Sequence, residues 1–317
     1  MTGSAREKRE VSATIEASSN IEAVCLLEPL SDEQYAYDHA MGVLASDSSL
    51  RIFAPLGHPD SDNWSQVGSY RSAASAGHMC AIDCVVSASS VAGEHMSTTV
   101  AACGYMSGKV EIVRLDPLEE STGSIRATMA LGVDASQHAI CHMAWIDDGG
   151  GGRDQHRLLL VCTIDGRAGL WQIHRDLSHA SLLATIGGQD WRPFTAHCVN
   201  GESLVLAKIG TVAIVDLRAE GVSVIQYIAL SVSQTIISCV IDECRERIYV
   251  AAADFIIFVL SKQGGSWSRR PEEERALRDG MRQTVVKSFT TKFKMSSLVL
   301  RSLTLSPNAR YLAFATE

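Results

Sequence analysis

The chain has 317 residues, 46% of them hydrophobic and 20% charged, with a net charge of −8. That much apolar content excludes a disordered polymer and lets the chain bury a large core. The negative balance excludes a general binder of polyanions, and no apolar run approaches the roughly 20 residues of a membrane helix.

In chain order, residues 1–12 read as a disordered tail and residues 13–317 as one folded β domain. A β-type run at residues 21–27 comes first. A recurring phrase follows: a short apolar run, a turn of Asp, Gly or Ser, then a second apolar run. It occupies residues 41–53, 100–113, 158–173, 204–215 and 248–259, with turns at Asp47-Ser48, Ser107-Gly108, Asp165-Gly166, Gly210 and Asp254. A half-copy at 311–317 stops at the turn. Further β-type runs precede the later copies, at 80–86, 140–146, 194–199, 236–241 and 303–306. Others follow complete copies, as at 124–131, 182–186 and 222–229. The pattern predicts about four strands per unit, each of roughly 4–7 residues, in units of roughly 45–60 residues, the spacing of propeller blades with loop insertions.

Two interruptions punctuate the repeats. Residues 147–157 carry four consecutive glycines at 149–152 and read as a hairpin loop. A phosphate-binding loop needs Lys and Ser or Thr after the glycines, opening a helix; here Arg153-Asp154-Gln155-His156 leads into a strand. Residues 262–283 read as a charged surface insertion, with Ser268 capping a short helix and Pro271, Glu272, Glu273 and Glu274 near its first turn. Ser306-Pro307-Asn308-Ala309 reads as a type I turn, and residues 311–315 as the strand that returns from it.

The expected fold is an all-β propeller of about six blades, the last incomplete, from a parent of seven. Inner strands such as 100–103 and 158–162 are apolar on both faces, as packing between two neighbouring blades demands. A propeller leaves no long raw edge only when its ring closes. The chain therefore reads as truncated at its C-terminus, or as needing strands from elsewhere.

Chemistry-bearing clusters are few. The nine cysteines are odd in number and irregular in spacing, which points to a reducing compartment and to thiols acting as small hydrophobes. His78, Cys80 and Cys84, and the pair Cys141-His142, lack the paired knuckle spacing of structural zinc. No nucleophile elbow and no dinucleotide-binding glycine motif is present. The reading holds no catalytic, cofactor or metal residue. Charge is the exception. Residues 262–301 hold ten basic residues against four acidic ones. Arg269, Arg270, Arg275, Arg278, Arg282, Lys287, Lys292 and Lys294 are the candidates for contact with nucleic acid or an acidic partner, with Trp267 and Phe293 as possible stacking surfaces. The competing reading is a solvated insertion whose Glu and Arg pair across helix turns.

Residues 99–113, 158–173 and 303–315 resemble WD-repeat β-propellers, although Leu170-Trp171-Gln172-Ile173 is the nearest approach to the Trp-Asp blade ending. A narrower resemblance lies in the last third. Residues 235–242 and 247–254 are similar to the penultimate blade of the delta (90 kDa class) subunit family of transcription factor IIIC. Residues 301–313 are similar to its final blade, and 42–50 and 169–173 are compatible with earlier ones. The resemblance implies a nuclear, non-enzymatic scaffold in the complex that recognises RNA polymerase III promoters. Its partners would be other subunits, with DNA met indirectly or through a basic patch, and no membrane. The family's acetyltransferase activity attaches to no residue here. The alternatives are a cytoplasmic or nuclear scaffold in RNA processing or vesicle coating, and an enzyme using a propeller channel.

Overall fold

A computed structural model describes residues 21–27, 40–45, 48–55, 64–72, 77–91, 94–117, 125–146, 156–174, 176–187, 190–200, 203–217, 222–231, 233–253, 256–288, 300–306 and 311–316. The glycine run at 149–152, the turn at 307–310, Phe293, Lys292 and Lys294 lie outside these residues. The fold is all-β and propeller-like, of about five to six blades, each an antiparallel sheet whose strands follow one another in sequence. Among the described residues there are five four-stranded sheets and one two-stranded sheet.

The first sheet is β1 (Ile21–Leu27), β2 (Ala40–Ala45), β3 (Leu50–Pro55) and β4 (Trp64–Tyr70). The second is β5 (Met79–Val91), β6 (Glu94–Tyr105), β7 (Lys109–Pro117) and β8 (Ile125–Asp134). The third is β9 (Ile140–Ile146), β10 (His156–Thr163), β11 (Arg167–His174) and β12 (Ala180–Gly187). The fourth is β13 (Phe194–Asn200), β14 (Ser203–Lys208), β15 (Thr211–Asp216) and β16 (Ser223–Ala229). The fifth is β17 (Ile236–Asp242), β18 (Arg247–Ala252), β19 (Ile256–Gln263) and β20 (Ser266–Arg269). One helix, α1 (Pro271–Ser288), precedes the two-stranded sheet of β21 (Leu300–Leu305) and β22 (Leu312–Thr316). Among the described residues no helix is long and apolar enough to cross a membrane.

The chain divides into two compact units: Met1–Ala144 with Arg175–His179, and Trp145–His174 with Ala180–Glu317. In the first unit β1 lies against β5 and β4 against β8, so like strands of successive sheets face each other. Between them sit Leu50, Ile52, Met79, Ala101, Cys103, Val113 and Leu115, all fully buried. Residues 100–103 are buried without interruption, which a strand with one wet face could not be. One carboxylate belongs to this interior. Glu111 on β7 accepts hydrogen bonds from Tyr70 Oη at 2.8 Å, Ser72 Oγ at 2.7 Å and Tyr105 Oη at 2.5 Å. The network joins the two sheets, and three donors offset the desolvation of the charge.

In the second unit β10 touches β13, β13 lies against β17, and β17 against β21. A core of this unit gathers Val205, Ala207, Val212, Ile214, Ile236, Ile248, Val250, Phe258 and Leu260. β14 and β15 carry buried residues at nearly every position, the pattern of strands covered on both faces.

Turn chemistry repeats across hairpins. Gly108, Gly166 and Gly210 all take left-handed backbone, with φ of +83°, +84° and +81°. At Gly166 a Cβ would fall 2.0 Å from the Asp190 carbonyl oxygen, and at Gly108 one would fall 2.1 Å from that of Ser136. These turns sit directly on the backbone of the following linker, where only glycine fits.

Two expectations are corrected. The strands of the second sheet run to 13, 12, 9 and 10 residues, not 4–7, because β5 and β6 continue pairing out to Val91 and Glu94. Ser268 caps no helix: it lies in β20, opposite Ser261 of β19. Lys262 and Gln263 end β19, so the start of the charged segment forms the outer hairpin of the fifth sheet. The helix begins at Pro271 and spans 18 residues.

Candidate interaction surface at the helix–sheet junction

The start of α1 follows from its sequence. Pro271 has no amide proton to leave unpaired and a φ suited to a first helical position. Glu272, Glu273 and Glu274 place negative charge where the helix dipole favours it. The Arg270 carbonyl opens the helical ladder by accepting from Glu274 N at 3.0 Å, and Arg270 N donates to the Val259 carbonyl at 2.8 Å.

Glu274 then turns inward, with its side chain 4% exposed. It receives a fork from Arg269, Nη2 to Oε2 at 2.7 Å and Nε to Oε1 at 3.1 Å, and also Val259 N at 3.3 Å. The Arg269 guanidinium lies 4.7 Å from the centre of the Phe258 ring. A planar cation on an aromatic face, holding a buried carboxylate at two points, fixes direction as well as distance. Outside it, Arg247 on β18 makes a second fork to Glu273, both contacts at 3.0 Å. Arg270 Nε donates to Ser261 Oγ at 2.5 Å.

The structure separates the sequence candidates. Arg269 and Arg270 are turned to the junction and hold the helix. Arg275 is exposed, with Nε 3.5 Å from the Pro271 carbonyl. Arg278 is half-buried, and its Nε has no hydrogen-bond partner among the described residues. Arg282 and Lys287 lie on the later turns of α1. The Glu and Arg pairs expected across helix turns instead join the helix's first turn to β18 and to the end of β20. Arg247 is not singled out by sequence, and Glu273 and Glu274 only as acidic residues near the helix's first turn. The acidic first turn after Pro271 was the available signal, and it reported a helix start rather than a clamp.

Beside the junction is a cleft of about 230 Å³ lined by Asn200, Asp242, Glu243, Glu246, Lys262 and Trp267. Asp242 is fully buried and accepts from Arg245 N at 3.2 Å and Arg245 Nη1 at 2.7 Å. Trp267 is half-buried, and its backbone N–H and carbonyl both pair with the Gln226 amide, at 2.9 Å and 2.8 Å. Gln226, on the outer strand β16, thus imitates a strand neighbour and ties the fourth sheet to the fifth.

Thiols fill the interior. Cys103, Cys162 and Cys239 are buried, and Cys80 Sγ donates to the Ile140 carbonyl at 2.8 Å. Burial, followed by the Cys239 thiol beside it, pushes the Cys198 thiol well above its ordinary value, so Cys198 remains protonated at neutral pH.

No protein-family model matches the chain, and no curated protein matches it.

Proposed function

We propose that the chain is a non-enzymatic protein-interaction scaffold, set in the transcription factor IIIC assembly that initiates RNA polymerase III transcription in the nucleus. The observation that carries the scaffold reading is the clamped helix. An 18-residue element is locked to the fifth sheet by two arginine forks, with Glu272, Arg275, Ala276 and Asp279 left exposed. A surface held this rigidly binds a partner with little ordering cost. Arg275 and Arg278, with Arg282, Lys287, Lys292 and Lys294 further along, are then proposed to meet an acidic partner. The setting is supported by the resemblance of residues 235–254 and 301–313; residues 236–252 of that stretch form the β17–β18 hairpin on which the helix clamp partly rests.

The test is affinity purification of the tagged chain after mild crosslinking in cells, with quantitative mass spectrometry. A recurrent set of proteins in fixed ratio, enriched at RNA polymerase III promoters by chromatin precipitation, is expected. A fixed set without promoter enrichment would leave the scaffold and remove the setting. No fixed set would remove both.

A further inference from the structure

We propose that the second unit carries a peptide-docking surface built from the β10–β11 turn, residues 190–193 of the β12–β13 linker and the β14–β15 turn, and that its partner is a short segment with an aromatic or aliphatic side chain flanked by carboxylates. The proposal rests on the scaffold reading and names a site and partner chemistry for it.

Three contacts bring these segments together. The β10–β11 turn sits on the linker, since a Cβ on Gly166 would meet the Asp190 and Arg192 carbonyl oxygens at 2.0 Å and 3.0 Å. The linker is tied to β14 by Asp190 Oδ1 and Lys208 Nζ at 2.6 Å. Arg192 reaches the β14–β15 turn, with its Nη1 3.1 Å from where a Gly210 Cβ would lie. Asp190 Oδ1 also accepts from Arg192 N at 3.3 Å, which fixes the bend on which Trp191 stands. Lys208, with its side chain only 5% exposed, lies 4.7 Å from the centre of the Phe194 ring. The linker is therefore anchored from below.

It presents large apolar and cationic side chains outward. Trp191 is 78% exposed and Ile164 51% exposed. Arg167 is 61% exposed, 3.4 Å from the buried Asp165 carboxylate. Arg192 is exposed, and its charge acts on the nearby Asp190 carboxylate. Each carboxylate of the site has an inward partner, Asp165 accepting from Thr163 Oγ1 and Asp190 holding Lys208, and each also lies beside one of the arginines, Asp165 beside Arg167 and Asp190 beside Arg192. These neighbouring segments thus present an exposed indole and an exposed isoleucine together with two exposed guanidinium groups. Trp and Arg are the residue types that dominate binding hot spots, and a backbone bend that is already formed lowers the ordering cost of binding. The guanidinium groups select carboxylates beside the apolar anchor. A single-stranded nucleic acid would also stack on Trp191. It is disfavoured because two arginines neutralise few phosphates, Ile164 offers no ring to stack on, and the chain as a whole is at −8.

The test is fluorescence anisotropy with the full chain and three labelled peptides in a Gly/Ser background, centred on Asp-Phe-Asp, Lys-Phe-Lys and Asp-Gly-Asp, beside a labelled oligo-dT. The Asp-Phe-Asp peptide should bind, and the other three probes should bind at least about tenfold more weakly. Trp191→Ala and Arg192→Glu should each weaken it by about tenfold or more, with thermal melting unchanged, while Tyr227→Ser on β16 should leave it alone. No binding of the Asp-Phe-Asp peptide, equal binding by Trp191→Ala, or preference for the basic peptide or oligo-dT would overturn the proposal. Crosslinked capture with the same variants separates the two readings. A fixed partner set retained in full by the Trp191→Ala, Arg192→Glu double variant would remove this surface and keep the scaffold. Peptide binding by a chain that captures no fixed set would remove the scaffold and keep the surface.

Discussion

Glu111, Tyr70, Ser72 and Tyr105 stand up to 41 positions apart in sequence, and the fold closes them into one network. Glu111→Ala takes the shared carboxylate acceptor away from the Tyr70, Ser72 and Tyr105 hydroxyls. It should cost about 3 kcal/mol, and Tyr105→Phe about 1.5 kcal/mol, by chemical denaturation. Burial first, then the adjacent carboxylate, holds both phenols above their ordinary value of 10.0. A group raised on folding contributes fully below its unfolded value, and the contribution fades as pH rises toward the folded one. The first unit should therefore lose stability above about pH 10, and Tyr105→Phe should lose less over the same range, as hydrogen exchange on β6 and β7 would register. On the acid side, the hydrogen bond from Lys208 holds Asp190 below the usual carboxylate range. Its contribution is present at neutral pH and fades as the carboxyl protonates. Asp190→Asn should cost only about 1–2 kcal/mol, less than a fully buried pair, because the Asp190 side chain is 43% exposed.

Turns and the helix clamp are tested at the scale of elements. Gly166→Ala and Gly108→Ala must force both a positive φ and a backbone clash, and each should cost about 2–3 kcal/mol. Gly132→Ala, in β8 with open space around it, should be neutral or slightly stabilising. Thermal melting of the three variants checks the contrast. Glu274→Ala leaves Arg269 over Phe258 without its carboxylate and should release α1 to limited proteolysis, at about 3 kcal/mol. Glu273→Ala removes a more exposed fork and should cost about 0.5 kcal/mol. The turn glycines were legible in sequence because one residue type answers one backbone demand. β1 and β9 were legible to the residue, since the apolar runs at 21–27 and 140–146 coincide with the strands. The Glu274 fork was not, because Glu at a helix start reads the same whether it faces water or a sheet. The extra length of β5 and β6 was hidden in Ser- and Thr-bearing residues that favour neither strand nor loop strongly.

For the whole molecule, charge decides what kind of partner is admissible. Ten basic residues cluster between 262 and 301, yet Arg269 and Arg270 are turned to the helix junction. Replacing Arg275 and Arg278 with Ala should therefore change the slope of log affinity for duplex DNA against log salt by at most about two, the limit for two phosphate contacts. A larger change, by anisotropy over a salt series, would mean that the clamp opens on DNA. The all-β, multi-sheet architecture was readable from the repeat alone, because apolar strands separated by turn residues at blade spacing fit few other folds. The division into two units was not, since the pattern of strands is the same on both sides of Ala144.

The helix clamp has a consequence for how the chain folds during synthesis. Phe258, Val259, Ser261 and Arg269 all precede Glu274 by 16 positions or fewer. Contacts of such short range form fast, and translation delivers them in order. The helix can seat against its hairpin as soon as it leaves the ribosome, before β21 and β22 exist, so the segment richest in positive charge is fastened while the apolar strands behind it are still being made.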